Sequence, residues 1–165
     1  MAGAQSAGVV LYRRSGAGIE VLLVHPGGPF WARRDAGAWS IPKGEFAVGE
    51  APALAARREF AEETGAAPPE PLTPLTPVAQ SRGKTVHPFA AEGDLDPATV
   101  TSNTFTIEWP PRSGRTQAFA EIDRAAWFAL DEARQRIVAG QRPILDELEA
   151  RLGKSGKLGK SGSEM

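Results

Sequence analysis

The stretch WSIPKGEFAVGEAPALAARREFAEETGA, residues 39–66, sets three glutamates on one side of a helix. Pro52 suits the first turn of that helix and Gly65 suits the position just past its end. At about 100° per residue, steps of three and four return to one face, so Glu59, Glu62 and Glu63 share an arc of roughly 100°. Like charges at such spacings destabilise a helix by ~0.2–0.5 kcal/mol per pair. Glu62 and Glu63 also fall in the last turn, where the helix dipole disfavours negative charge by ~0.3–1 kcal/mol each. Stability alone seldom selects both faults together, whereas a bound divalent cation turns both into a binding site. Ala53, Ala56 and Phe60 lie roughly opposite the glutamates, and Leu54 joins Phe60 among the interior fillers. One side of the helix is therefore expected to pack on a sheet while the glutamate side stays open.

Around this stretch the composition is that of an ordinary globular chain. The 165 residues fit one domain with a real core, and 41% are hydrophobic and 24% charged. A net charge of −1 creates no field that would recruit nucleic acid or anionic lipid, so neither is expected as a partner. The absence of cysteine removes disulfides, thiolate zinc sites and a cysteine nucleophile together. The N-terminus MAGAQSAG lacks the basic and apolar regions of a signal peptide, and no apolar run approaches membrane-spanning length. The expectation is a soluble, cytoplasmic protein whose oligomeric state the sequence leaves open.

On the N-terminal side of the quoted stretch, residues 8–13 and 19–25 are β-branched and apolar, and they predict two strands joined by a short turn. The run VLLV within 19–25 is continuous, as in a strand covered on both faces. A long loop, PGGPFWARRDAGA at 26–38, is of the kind that is usually functional in a compact domain. On the C-terminal side, the proline-rich run 67–77 predicts an extended connector. Residues 78–82, 84–91 and 100–109 predict strands, and PPRSGR at 110–115 a rigid basic loop. Residues 119–128 lead into a helical pattern near 130–138. Pro143 opens a third helix with the apolar stripe Ile144, Leu145, Leu148 and Leu152, and Gly153 ends it. Strands interleaved with helices predict an α/β domain over residues 1–153, a mixed sheet flanked by helices. The glycine- and serine-rich residues 154–165 are expected to form a flexible tail.

From Gly44 the residues follow the pattern G-x5-E-x7-R-E-U-x-E-E-x-G-U, where U is bulky and apolar. The matching positions are Gly44, Glu50, Arg58, Glu59, Phe60, Glu62, Glu63 and Gly65. Only Ala66 departs, being smaller than the usual aliphatic residue there. This resembles the Nudix box, the signature of the Nudix hydrolases. The resemblance implies an α/β/α sandwich. It also implies cleavage of a nucleoside diphosphate linked to another moiety, by attack of water on phosphorus with Mg²⁺, or alternatively Mn²⁺. It makes Glu59, Glu62 and Glu63 metal ligands or the base and the Gly44 carbonyl a further ligand. It also has Arg58 orient Glu59 and gives Glu50 a partly structural role. Outside the box, Glu121 and Glu108 are the candidates for a base.

The residues support that chemistry on physical grounds too. A diphosphate repels an attacking hydroxide, so cations must neutralise charge and acidify a water. Mg²⁺ takes oxygen ligands and keeps several waters, so a few carboxylates suffice. Positioning and charge compensation dominate phosphoryl chemistry, and a carboxylate must take the proton of the water. Lys43, Arg33, Arg34, Arg112 and Arg115 are candidate phosphate-binding groups on the flanking loops. Phe30 and Trp31 are candidates either for stacking on a base or for anchoring the loop. Trp109 and Trp127 are expected in the core. His25 and His87 lack the spacing of a zinc site and are expected to be structural. Nucleoside triphosphates or dinucleoside polyphosphates are the expected substrates. The rival readings are a non-catalytic nucleotide-binding module and a scaffold whose acidic helix binds a protein partner.

Overall fold

The computed structural model describes residues 3–16 and 18–153; the expected tail at 154–165 lies outside them. Two long apolar strands, β1 (Ala4–Ser15) and β2 (Gly18–Pro26), form an antiparallel hairpin with Tyr12 opposite Val21. On its other edge β1 runs parallel to β6 (Lys84–Glu92), from Ala4 beside Lys84 to Tyr12 beside Glu92. Strand β9 (Ile122–Ala129) extends the sheet antiparallel to β2. Two short strands, β4 (Thr73–Pro74) and β5 (Val78–Ser81), both pair with β6. Strand β3 (Lys43–Glu45) pairs with β1 at Ser6–Gly8, completing a seven-stranded mixed sheet. The hairpin of β7 (Thr104–Glu108) and β8 (Thr116–Ala120) stands apart from it.

Burial on both sides explains the uninterrupted apolar runs. Val9, Leu11 and Leu22 face α1 (Pro52–Thr64), packing with Ala55, Ala56, Phe60 and Phe89. Val10, Tyr12, Val21 and Leu23 face the opposite layer, built from α2 (Leu130–Arg136) and α3 (Arg142–Leu152). The predicted stripe Ile144, Leu145, Leu148 and Leu152 is wholly buried there, each side chain contributing ~1.5–3 kcal/mol. Trp127 is half-buried beneath the α1 layer, with the Arg13 guanidinium 4.1 Å from its ring centroid.

Three expectations change. Residues 119–128 do not simply lead into a helix: they complete β8 and form β9, whose register along β2 runs from Glu20–Ala129 to His25–Arg124. The strand expected at 100–109 is shorter, because Thr101 N–H is drawn to the Thr64 carbonyl at the end of α1. Leu54 is 58% exposed. The buried stripe of α1 is Ala55, Ala56, Glu59, Phe60 and Thr64, so the glutamate face overlaps the packed face instead of opposing it.

Two glycines position the site. A Cβ on Gly8 would lie 2.4 Å from the Pro42 carbonyl oxygen and 2.6 Å from Lys43 Cβ, so only glycine lets β3 close against β1. A Cβ on Gly27 would lie 1.9 Å from the Ala120 carbonyl oxygen. Gly27 N–H donates to the Glu121 carbonyl at 2.9 Å. The end of β2 thereby holds the β8–β9 junction, and Glu121 with it.

Candidate active site

The site forms where the C-terminal half of α1 meets the backbone of β3. Glu59 reaches Gly44 so closely that a Cβ there would lie 1.8 Å from Glu59 Oε1. Lys43 N–H donates to Glu63 Oε1 at 3.1 Å. Both carboxylates are thus drawn against one short piece of extended chain, and Glu59 is left only 9% exposed. Arg58 braces Glu59 and its neighbour Glu62 from solvent. Its Nη1 donates to Glu59 Oε2 at 2.6 Å and lies 3.5 Å from Glu62 Oε2, while its Nη2 and Nε grip both oxygens of Glu50 at 3.0 and 3.2 Å. Glu50 therefore anchors the arginine, a structural task.

Crowding and burial set the electrostatics. Burial raises the Glu59 carboxyl above its ordinary range; Arg58 opposes the shift, and Glu62 and Glu121 add to it. Burial pushes Glu63 up to about 8 against the N–H and charge of Lys43, again with Glu59 and Glu121 adding to the rise. Lys43 is itself lowered by burial, with Glu63 opposing. Glu121 arrives from the β8–β9 junction, so two distant parts of the chain bring like charges together.

Beside the carboxylates lies a cavity of ≈ 260 Å³, bordered by Trp31, Lys43, Glu63, Gln80 and Glu121 among others. Among the described residues no three acidic or histidine side chains close into a finished metal cage. The donors nevertheless fit a hard cation. Carboxylate oxygens meet the backbone at Gly44, and magnesium keeps several waters and asks few oxygens of a protein.

The other candidates separate. Of the five basic side chains, Lys43 alone borders the cavity among the described residues. Arg33 and Arg34 are exposed on the loop after β2, with the Arg34 guanidinium 5.5 Å from the Trp31 ring centroid. Arg112, with φ of 62°, and Arg115 are exposed on the β7–β8 loop. The two loops touch, since the rings of Phe30 and Trp109 meet edge to face at 5.6 Å. Trp109 is consequently half-buried in a loop contact and not in the core. The Glu108 carboxylate accepts the Gly114 N–H at 2.7 Å, which ties it to its own hairpin; Glu121 is the outside candidate that faces the cluster.

His25 is fully buried, with Nδ1 2.9 Å from Asp123 and Nε2 donating to the Arg34 carbonyl at 2.6 Å. It fastens the loop to the sheet. Nε2 of His87 lies 2.7 Å from the Gln5 side-chain oxygen. Gln80 and Gln141 emerge only in three dimensions, because isolated glutamines carry no spacing signal.

A mixed sheet between helical layers, with an acidic helix end at the mouth of a cavity, defines a Nudix-type sandwich. The chain matches the NUDIX domain over residues 4–148 and belongs to that family. Hydrolases of this family generally use divalent metal ions. The chain is 29% identical over 147 residues to an RNA pyrophosphohydrolase of Caulobacter vibrioides, covering 80% of this chain and 82% of that protein. It is 33% identical over 101 residues to an octanoyltransferase of Myxococcus xanthus, covering 61% of this chain but only 25% of that protein's length. Among solved structures, a C. elegans Ap4A hydrolase binary complex is 25% identical with a TM-score of 0.60, over 90% of this chain and 97% of the other. The NUDIX domain of Shewanella oneidensis NrtR, complexed with ADP ribose, shares the fold at 20% identity and a TM-score of 0.63, covering 93% and 90%. Among the described residues no helix is long and apolar enough to cross a membrane.

Proposed function

We propose that this chain hydrolyses a diphosphate linkage in a nucleotide polyphosphate, a nucleoside triphosphate or a dinucleoside polyphosphate, with Mg²⁺ or Mn²⁺. The observation that carries the proposal is the convergence of Glu59 and Glu63 on the backbone of Gly44 and Lys43, with Glu121 brought from the β8–β9 junction to the cavity that Lys43 and Glu63 border. Glu59, Glu62, Glu63 and the Gly44 carbonyl would hold the cation. When bound, it neutralises phosphate charge and acidifies a water. Arg58 keeps Glu59 and Glu62 aimed, and Lys43 offers its ammonium to a phosphate oxygen from the cavity wall. Glu121, exposed and outside the box, takes the proton as the water oxygen bonds to phosphorus. The bridging P–O bond breaks, and its electron pair leaves on the departing phosphate. Arg33, Arg34, Arg112 and Arg115 stand on the two touching loops, where a long polyphosphate would reach them.

A product screen tests this. Nucleoside triphosphates, dinucleoside polyphosphates and an RNA substrate, the last after the name of the Caulobacter relative, are offered with each metal to the wild type and to Glu62→Gln. Diphosphate cleavage by the wild type alone is expected. No turnover of any, or equal turnover by both proteins, would remove the proposal.

A further inference from the structure

One wall of the cavity carries an amide whose direction is dictated from inside the protein. Gln141 is fully buried, and Ile41 N–H donates to its Oε1 at 3.1 Å. A backbone N–H can only donate, so the oxygen of Gln141 must be the end facing it. Its Nε2 then points the other way, donating to Ser40 Oγ at 3.0 Å and to Gln80 Oε1 at 2.8 Å. Gln141 thereby holds the Gln80 oxygen on its own side, which turns the Gln80 NH₂ away from Gln141, and Gln80 borders the cavity. Ser40 adds no donor, because its hydroxyl is committed to the Ile41 carbonyl at 2.6 Å. The segment holding Gln141 presses close on β5: a Cβ on Gly140 would lie 2.1 Å from the Gln80 carbonyl oxygen. Trp31, 37% exposed, borders the same cavity, with Val24 and Ile122 among its apolar walls.

We infer that Gln80 sets a base preference: the cavity takes a nucleobase with a carbonyl oxygen at C6 of a purine or C4 of a pyrimidine, as in guanine, hypoxanthine or uracil, over one with an amino group at that position, as in adenine or cytosine. Gln141 is the positioning residue that fixes the polarity. The inference rests on the nucleotide substrate class proposed above. Oxo bases place acceptors where adenine and cytosine place an exocyclic NH₂. To aim its oxygen squarely at that NH₂, Gln80 would have to turn its amide over, setting NH₂ against the NH₂ of Gln141 and stranding a buried donor; short of that it can offer only the second lone pair of an oxygen already drawn to Gln141. Adenine still offers ring nitrogens, so the discrimination is graded: about tenfold, the worth of one hydrogen bond.

The test compares kcat/KM for GTP, ITP and UTP with ATP and CTP. Alongside it, binding of the matching nucleoside diphosphates is followed by tryptophan fluorescence. A preference of about tenfold for the oxo bases is expected in both readouts. Gln80→Ala is expected to bring the ratio near one, and Gln80→Glu, which offers only acceptors, to favour the amino bases. Gln141→Glu keeps an acceptor for Ile41 N–H but has no donor for Gln80, so it should flatten the ratio without touching substrate; a purely structural Gln141 would lower Tm and leave the ratio unchanged. Equal binding of oxo and amino bases by the wild type, or a ratio unmoved by Gln80→Ala, overturns the inference. Binding that ranks the bases as expected without any hydrolysis would sustain Gln80 and remove the proposed activity.

Discussion

Helices α1 and α3 have similar sequence punctuation, a proline near the start and a glycine at the end, yet they are built to opposite purposes. α3 buries Ile144, Leu145, Leu148 and Leu152, keeps Arg151 in its last turn, and pairs Asp146 and Glu149 with Arg134. α1 buries a glutamate within its packed stripe, has no basic residue in its last turn, and crowds Glu59 and Glu62 on a single arginine. One helix spends its sequence on cohesion, and the other holds acids where a helix least favours them. The contrast teaches that the electrostatic faults of α1 belong to the site and not to the fold.

The largest effect that should separate the two helices is on turnover. Glu62→Gln or Glu63→Gln is expected to lower kcat by ~10²-fold or more, with the fold intact or slightly more stable, because the first relieves repulsion and the second removes a buried ionisable group. Glu149→Gln on α3 should leave kcat unchanged and cost at most ~1 kcal/mol. Steady-state kinetics beside thermal melts decide this; full activity in either α1 variant would end the assigned role. Next comes Gly44→Ala. The new Cβ must displace the Glu59 carboxylate, and a misplacement of that size is expected to cost about 10²-fold in kcat/KM. Wild-type kinetics in that variant would show that the close approach has no part in catalysis.

On stability the order reverses. Leu148→Ala on α3 should cost ~2–5 kcal/mol in urea unfolding, whereas Leu54→Ala on α1 stays within ~0.5 kcal/mol, Leu54 being exposed. Comparable losses at the two positions would erase the distinction. The smallest effect is a pH slope. In chelator, folded Glu63 keeps its proton up to about 8, while the unfolded chain loses it near the ordinary 4.5. Between those values the folded state binds more protons, so stability falls as pH rises. Melts across that window should show Tm declining in the wild type, with a shallower decline in Glu63→Gln, since Glu59, also raised, still contributes. Equal slopes would mean that Glu63 is ordinary.

What the sequence made legible was local. Pro52, Gly65 and the spacing of the glutamates placed α1, and the stripe from Ile144 to Leu152 placed α3. The apolar run at 21–24 announced a strand covered on both faces. The misses are long-range. Residues 119–128 mix charge with aromatics and show no clean period, and only pairing with β7 and β2 makes them the end of β8 and most of β9. Glu108 and Glu121 were equivalent on paper until the Gly114 N–H engaged one and Gly27 delivered the other. The burial of Glu59 depends on β3 arriving through the glycine at position 8, a contact no helical wheel contains.

The edge-to-face contact of Phe30 with Trp109 has an evolutionary consequence. Gly27, at the root of the first loop, moors the junction that carries Glu121, which follows the second, so both loops can be rewritten for a new substrate while the proposed catalytic acids stay where they are. Because each loop leans on the other, they should be inherited and transplanted as a pair: a graft of both ought to carry substrate range between relatives, and a graft of either alone ought to lose it.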